Sequence, residues 1–160
     1  MERIWAPWRG SYVSNNTLDQ SCIFCPTEQG DRDRLILARS GYSLLMLNRY
    51  PYTGGHLMVA PLRHTAELDD LSDAELLDLM QMLRKGRTVL QRVAQPDGFN
   101  IGLNLGKAAG AGVEEHLHIH IVPRWNGDSN FMTVVGDVRV IPEGLMTAYD
   151  QIAAALVEVP

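Results

Sequence analysis

The chain has 160 residues, 46% of them hydrophobic and 21% charged, which suits one globular domain with an ordinary core. Its net charge of −5 argues against a general nucleic-acid binder, whose affinity comes largely from many Lys and Arg contacts to phosphate. Apolar runs are too short to span a membrane and Met1–Trp8 lacks a secretory pattern, so a cytoplasmic enzyme is expected.

Met1 to about residue 33 reads as an irregular segment containing the two cysteines, Cys22 and Cys25. Their C-x-x-C spacing admits a redox pair, half of a metal site, or two free thiols. No strand pattern precedes them, which weighs against a thioredoxin-like pair. Strands are expected at Arg34–Ala38, Tyr42–Asn48 and His56–Ala60. A long helix should begin at Ser72-Asp-Ala-Glu75, a capping box in which the serine hydroxyl and the glutamate carboxylate satisfy free backbone N–H groups. Leu76, Leu79, Met80, Leu83, Val89, Leu90 and Val93 continue it at helical spacing until Pro96-Asp97-Gly98. Strands are expected again at Phe99–Asn104 and His116–Val122, joined by the glycine-rich stretch Gly106–Gly112. A weaker helix falls over Pro142–Val157. Strands on both sides of one long helix predict an α+β fold with a largely antiparallel sheet.

His116-Leu-His118-Ile-His120 carries three of the five histidines at alternate positions. On a strand these share one face and turn Leu117, Ile119 and Ile121 to the core. A polar face that is histidine by chance is a poor account of three in register. Metal ligation and attack on phosphorus by neutral imidazole both suit such a row. The outer two lie about 13 Å apart at ~3.3 Å per residue, so one end can bind a metal while the other meets a substrate.

The run His116-Leu-His-Ile-His120-Ile-Val122 resembles the signature of the histidine-triad (HIT) superfamily. Asn48-Arg-Tyr-Pro51 and Gly55-His56-Leu-Met-Val-Ala-Pro61 resemble the upstream half of the same site. Trp5-Ala-Pro-Trp8, Gly98–Gly106 and Pro123-Arg-Trp125-Asn-Gly-Asp128-Ser-Asn130-Phe-Met132 are similar to bacterial members of the diadenosine tetraphosphate phosphorylase type. The resemblance implies a HIT-like fold over residues 1–160, with its core at 34–125 and a C-terminal extension from 126. It implies His118 as the nucleophile that forms a nucleotidyl-histidine, with the His116 carbonyl fixing its tautomer and His120 and His56 beside the phosphate. Asn48 would contact ribose, Asn104, Ala111 and Gly112 would line the phosphate site, and Trp125 would cover the triad strand. Gly110-Ala-Gly112 departs from the pattern of many HIT hydrolases, which carry a side-chain donor there for the leaving oxygen.

The resemblance also implies a structural zinc on Cys22, Cys25, His64 and His116, no organic cofactor, and a homodimer built through the long helix and an adjacent strand. The reaction it favours is phosphorolysis of diadenosine tetraphosphate by inorganic phosphate. A hydrolase, a nucleoside phosphoramidase and a nucleotide-binding protein with vestigial catalysis are the alternatives.

Overall fold

The computed structural model describes residues 22–128 and 143–159. The expectations for Trp5, Trp8, Asn130, Met132 and the start of the last helix at Pro142 fall outside those residues. Five strands form one sheet: β1 (Ile36–Arg39), β2 (Ser43–Leu47), β3 (Leu57–Pro61), β4 (Gly98–Leu103) and β5 (Ile119–Arg124). Their order is β1-β2-β3-β5-β4 and every pairing is antiparallel. Helix α1 (Asp73–Val93) bridges β3 and β4, and α2 (Leu145–Leu156) closes the described chain. The architecture is α+β, as expected. No helix among the described residues is long and apolar enough to cross a membrane.

The first strand starts two residues later than expected because Leu35 sits at φ 63°, in the left-handed region that ends extended backbone. The capping box at Ser72 and Glu75 forms with both of its reciprocal bonds. Leu79, Met82, Leu83, Val89 and Leu90 are buried, whereas Met80 is 51% exposed. Met82 therefore takes the core place expected of Met80, because it lies three residues on from Leu79, on the same helical face. Burying a side chain of this size stabilises the fold by about 1.5–3 kcal/mol.

Alternation divides the sheet into two faces. Leu45, Leu47, Leu57, Val59, Leu117, Ile119 and Ile121 join the two helices in the main core. Ile36, Leu44, Met46, Met58 and Ala60 form a smaller cluster with Phe24 on the opposite face. His120 stands opposite Met58 in the β3–β5 register, which places it on the smaller cluster's face.

Helix α1 presses closely on the sheet at Gly86. A β-carbon there would lie 2.8 Å from Leu45 Cδ1 and 3.0 Å from Ile121 Cδ1, and both of those side chains are fully buried. Gly86→Ala is expected to destabilise the protein by about 1–2 kcal/mol in a denaturant titration, overpacking outweighing the gain in helix propensity. An unchanged or raised midpoint would show that the helix can lift off the sheet without loss.

Candidate functional site

The histidine segment is only partly strand. Extended pairing begins at Ile119, so His116 and His118 precede β5, in contrast to the strand expected from His116. Pro61 supplies the reason. Continuing the β3–β5 register would set Pro61 against Leu117, and a proline has no N–H to donate. Leu117 N–H donates instead to Thr65 O at 2.7 Å, and the Pro61 carbonyl accepts from His116 Nε2 at 2.8 Å. The side chains still alternate: Leu117 and Ile119 enter the main core while the imidazoles of His118 and His120 meet edge to face at 4.9 Å.

Hydrogen bonds assign the ring protons. His118 Nδ1–H donates to the His116 carbonyl at 2.8 Å, which leaves a lone pair on Nε2. His56 Nδ1 accepts from the backbone N–H of Tyr52 at 3.1 Å, with Asn48 Nδ2 3.3 Å away. The proton of His56 is then on Nε2, which donates to His120 Nδ1 at 2.9 Å. That leaves an N–H on His120 Nε2. A chain of three assignments thus ends in one bare ring nitrogen and one outward donor.

Burial favours the neutral form of all three rings. It lowers His56 to about 3, with the charges of His120 and His118 adding to the effect. His120 is lowered to about 4 by burial and then by His118. Burial also lowers His118, against the opposing pull of its bond to His116. In the unfolded chain a histidine takes up its proton near about pH 6.5. The neutral rings therefore stabilise the fold above that pH, and the contribution is lost as pH falls toward 4 and then 3. Melting temperature should drop between about pH 7.5 and pH 5, and His56→Gln should flatten the slope. A slope unchanged in that variant would rule out His56 as its source.

Beside His120 lies an open cleft of about 380 Å³ lined by Tyr52, Asn100, Gly102, Asn104 and Arg124 among others. Gly102 faces His120 in the β4–β5 register, and a β-carbon there would meet nothing within 4 Å. Arg124 is held at the far end by Asp128 and by Asn100 Oδ1. The glycine-rich stretch forms a tight 3-10 turn, Lys107–Ala109, between Gly106 at φ 75° and Gly110 at φ 87°. Its Ala109 and Gly110 N–H groups bond within the turn. Ala111 and Gly112 follow it into the histidine segment. Trp125 lies past the end of β5, where its indole N–H donates to the Ala94 carbonyl after α1.

At the other end of the histidine row, Cys22, Cys25, His64 and His116 bring four ligand atoms within 4.8 Å of one another. Cys22 Sγ is 3.2 Å from His116 Nδ1, and Cys25 Sγ is 3.2 Å from His64 Nδ1. His116 donates through Nε2 to Pro61, so its Nδ1 lone pair faces the thiols. Burial opposes ionisation of Cys22, yet its pairing with the His116 ring and hydrogen bonds from the backbone N–H groups of Phe24 and Cys25 hold its thiol down at about 6. Two thiols and two imidazoles converging on one point are the donor set that suits a tetrahedral metal ion. The set spans 94 residues of sequence, from Cys22 to His116.

Three contributors were not legible beforehand. Phe24, inside the C-x-x-C, stacks on His118; Tyr52 packs on His56 at 4.7 Å; and buried Arg34 donates to the carbonyls of Ile23 and Cys25. Only the position of Phe24 between the cysteines hinted at its role.

A profile of the HIT domain matches residues 29–127. The chain is 42% identical over 152 residues to an AP-4-A phosphorylase of Mycobacterium tuberculosis, covering 89% of this chain and 78% of that protein. A Zn-bound histidine triad family protein from Mycobacterium smegmatis superposes with a TM-score of 0.64 at 29% identity, covering 78% of this chain and 84% of the other. The diadenosine triphosphate hydrolase of Plasmodium falciparum has the same fold, with a TM-score of 0.65 at 18% identity and 96% of each chain covered. The profile match, the phosphorylase relative and the shared fold together place this chain in the histidine-triad (HIT) family.

Proposed function

We propose that the protein transfers a nucleotidyl group through a covalent adduct on His118 Nε2, and that its reaction is phosphorolysis of diadenosine tetraphosphate. The observation that carries this is the bond from His118 Nδ1 to the His116 carbonyl, which leaves Nε2 as a neutral nucleophile beside the His120 N–H. Nε2 attacks the α-phosphorus and the bond to the bridging oxygen breaks, so that ATP departs. Inorganic phosphate then attacks the adenylate, restoring His118 and releasing ADP. His120 Nε2–H donates to the phosphate oxygens, and Asn48 and Asn104 contact the nucleotide, with Ala111, Gly112 and Trp125 completing its site. With no side-chain donor at residues 110–112, the leaving oxygen takes its proton from His120, Lys107 or water. The choice of phosphate over water as acceptor draws support from the 42% identity to AP-4-A phosphorylase.

Cys22, Cys25, His64 and His116 are proposed to hold a structural zinc ion, with all four positions taken by the protein. Bound there, the metal ties the C-x-x-C turn to the histidine segment and takes no part in the transfer. A homodimer through α1 and the edge strand β4 is also proposed. Exposed Leu77 and Met80 on α1 and exposed Ile101 on β4 support it.

Incubating the protein with diadenosine tetraphosphate, with and without inorganic phosphate, separates the acceptors. ADP and ATP formed only with phosphate is the expected outcome. AMP formed without phosphate would replace phosphorylase by hydrolase.

A further inference from the structure

We propose that Phe24 is a positioning residue for the nucleophile: its ring, carried on the C-x-x-C turn, holds the His118 imidazole in the orientation for attack. This rests on the reading of His118 as the nucleophile.

One hydrogen bond, from Nδ1 to the His116 carbonyl, anchors His118. A single bond leaves a ring free to tilt about it, which would swing Nε2 away from a fixed phosphorus. The faces of the ring must supply the rest. Phe24 stacks on His118 with centroids 5.0 Å apart and planes 29° from parallel. The edge contact with His120 adds a second restraint at 77°. Phe24 also packs on His116, 5.0 Å away, so one ring spans the metal-ligating histidine and the nucleophile.

Phe24 is itself firmly placed. Cys22 and Cys25 flank it, and both thiols contact the histidines of the four-residue cluster. Cys25 N–H closes the turn on the Cys22 carbonyl at 3.1 Å. On the other side Arg34, only 7% exposed, donates from Nη2 to the carbonyls of Ile23 at 2.9 Å and Cys25 at 2.6 Å. The turn is thus held through its side chains and through its backbone. Phe24 is 1% exposed and offers almost no surface to a nucleotide, so its effect on the reaction passes through His118.

The test compares the wild type with Phe24→Leu, Phe24→Met and His118→Ala. Steady-state kinetics on diadenosine tetraphosphate with saturating phosphate are normalised to zinc content. The ring ¹⁵N signals of His118 are recorded in parallel. Phe24→Leu is expected to lower kcat about tenfold while KM stays within about twofold and zinc content is unchanged. Phe24→Met, which keeps a sulfur–aromatic contact, should fall between. The wild type should show a protonated Nδ1 and a bare Nε2, and the two signals should move toward each other in Phe24→Leu. Wild-type kcat per zinc-loaded molecule in Phe24→Leu, with His118→Ala inactive, would overturn this inference alone. A tenfold rise in KM at constant kcat would overturn it too, by making Phe24 a nucleotide contact. Turnover surviving in His118→Ala would remove the reading on which it rests.

Discussion

His118→Ala is expected to lower turnover of diadenosine tetraphosphate by a factor of about 10⁴ or more, because the variant removes the atom that forms the intermediate. Neighbouring groups offer no substitute. His120 uses Nδ1 to accept from His56 and keeps a proton on Nε2, so it has no bare nitrogen to present. His56 is buried and has both ring nitrogens engaged. The alanine takes the donor from the His116 carbonyl and leaves a cavity beside Phe24, so it should also cost about 1–3 kcal/mol of stability, and turnover is compared well below its melting temperature. Substrate labelled at the α-phosphorus and quenched without inorganic phosphate should leave label on the wild-type protein and none on the variant. A phosphoramidate is labile to acid and resistant to base, which identifies the adduct as one on nitrogen. Turnover above about one per cent of wild type in the variant would sink the covalent mechanism.

Removal of the metal should have the largest effect on stability. A chelator is expected to lower the melting temperature by on the order of 10 °C, and stoichiometric zinc should restore it. Without an ion, the ligand atoms of two cysteines and two histidines are left within 4.8 Å of one another, held by mutual hydrogen bonds and by the His116 bond to the Pro61 carbonyl. Arg34 would still hold the turn from behind, so partial order around Phe24 should persist. Cys22→Ser should reproduce the loss and be indifferent to chelator. A chain that purifies without metal and melts at the same temperature in chelator would dismiss the zinc proposal.

The main elements were readable from the residues in order. The capping box at Ser72 and Glu75, the apolar spacing after it and the Pro96-Asp-Gly98 stop depend on contacts within a few residues, and α1 appears where they place it. Alternation did the same for the histidines, because side chains on extended backbone point to opposite faces whatever lies around them. The elements adjusted by tertiary context were those whose partners are far away. Met80 and Met82 are equally apolar in sequence, and only the side of α1 that meets the sheet separates them. The strand expected from His116 begins at Ile119 because the partner strand ends on a proline.

The candidate site divides along the same line. By itself the sequence determined the α+β layout and a single histidine face, since both follow from short-range periodicity. Only the tertiary structure brought Cys22 and Cys25 to His64 and His116, across gaps that no local pattern spans. It alone chose which imidazole nitrogen carries each proton, because those choices are made by the carbonyl of His116, the N–H of Tyr52 and the ring of His56. It also laid Phe24 against His118, a contact that joins residues 94 positions apart and is therefore written in the fold rather than in the order of the chain.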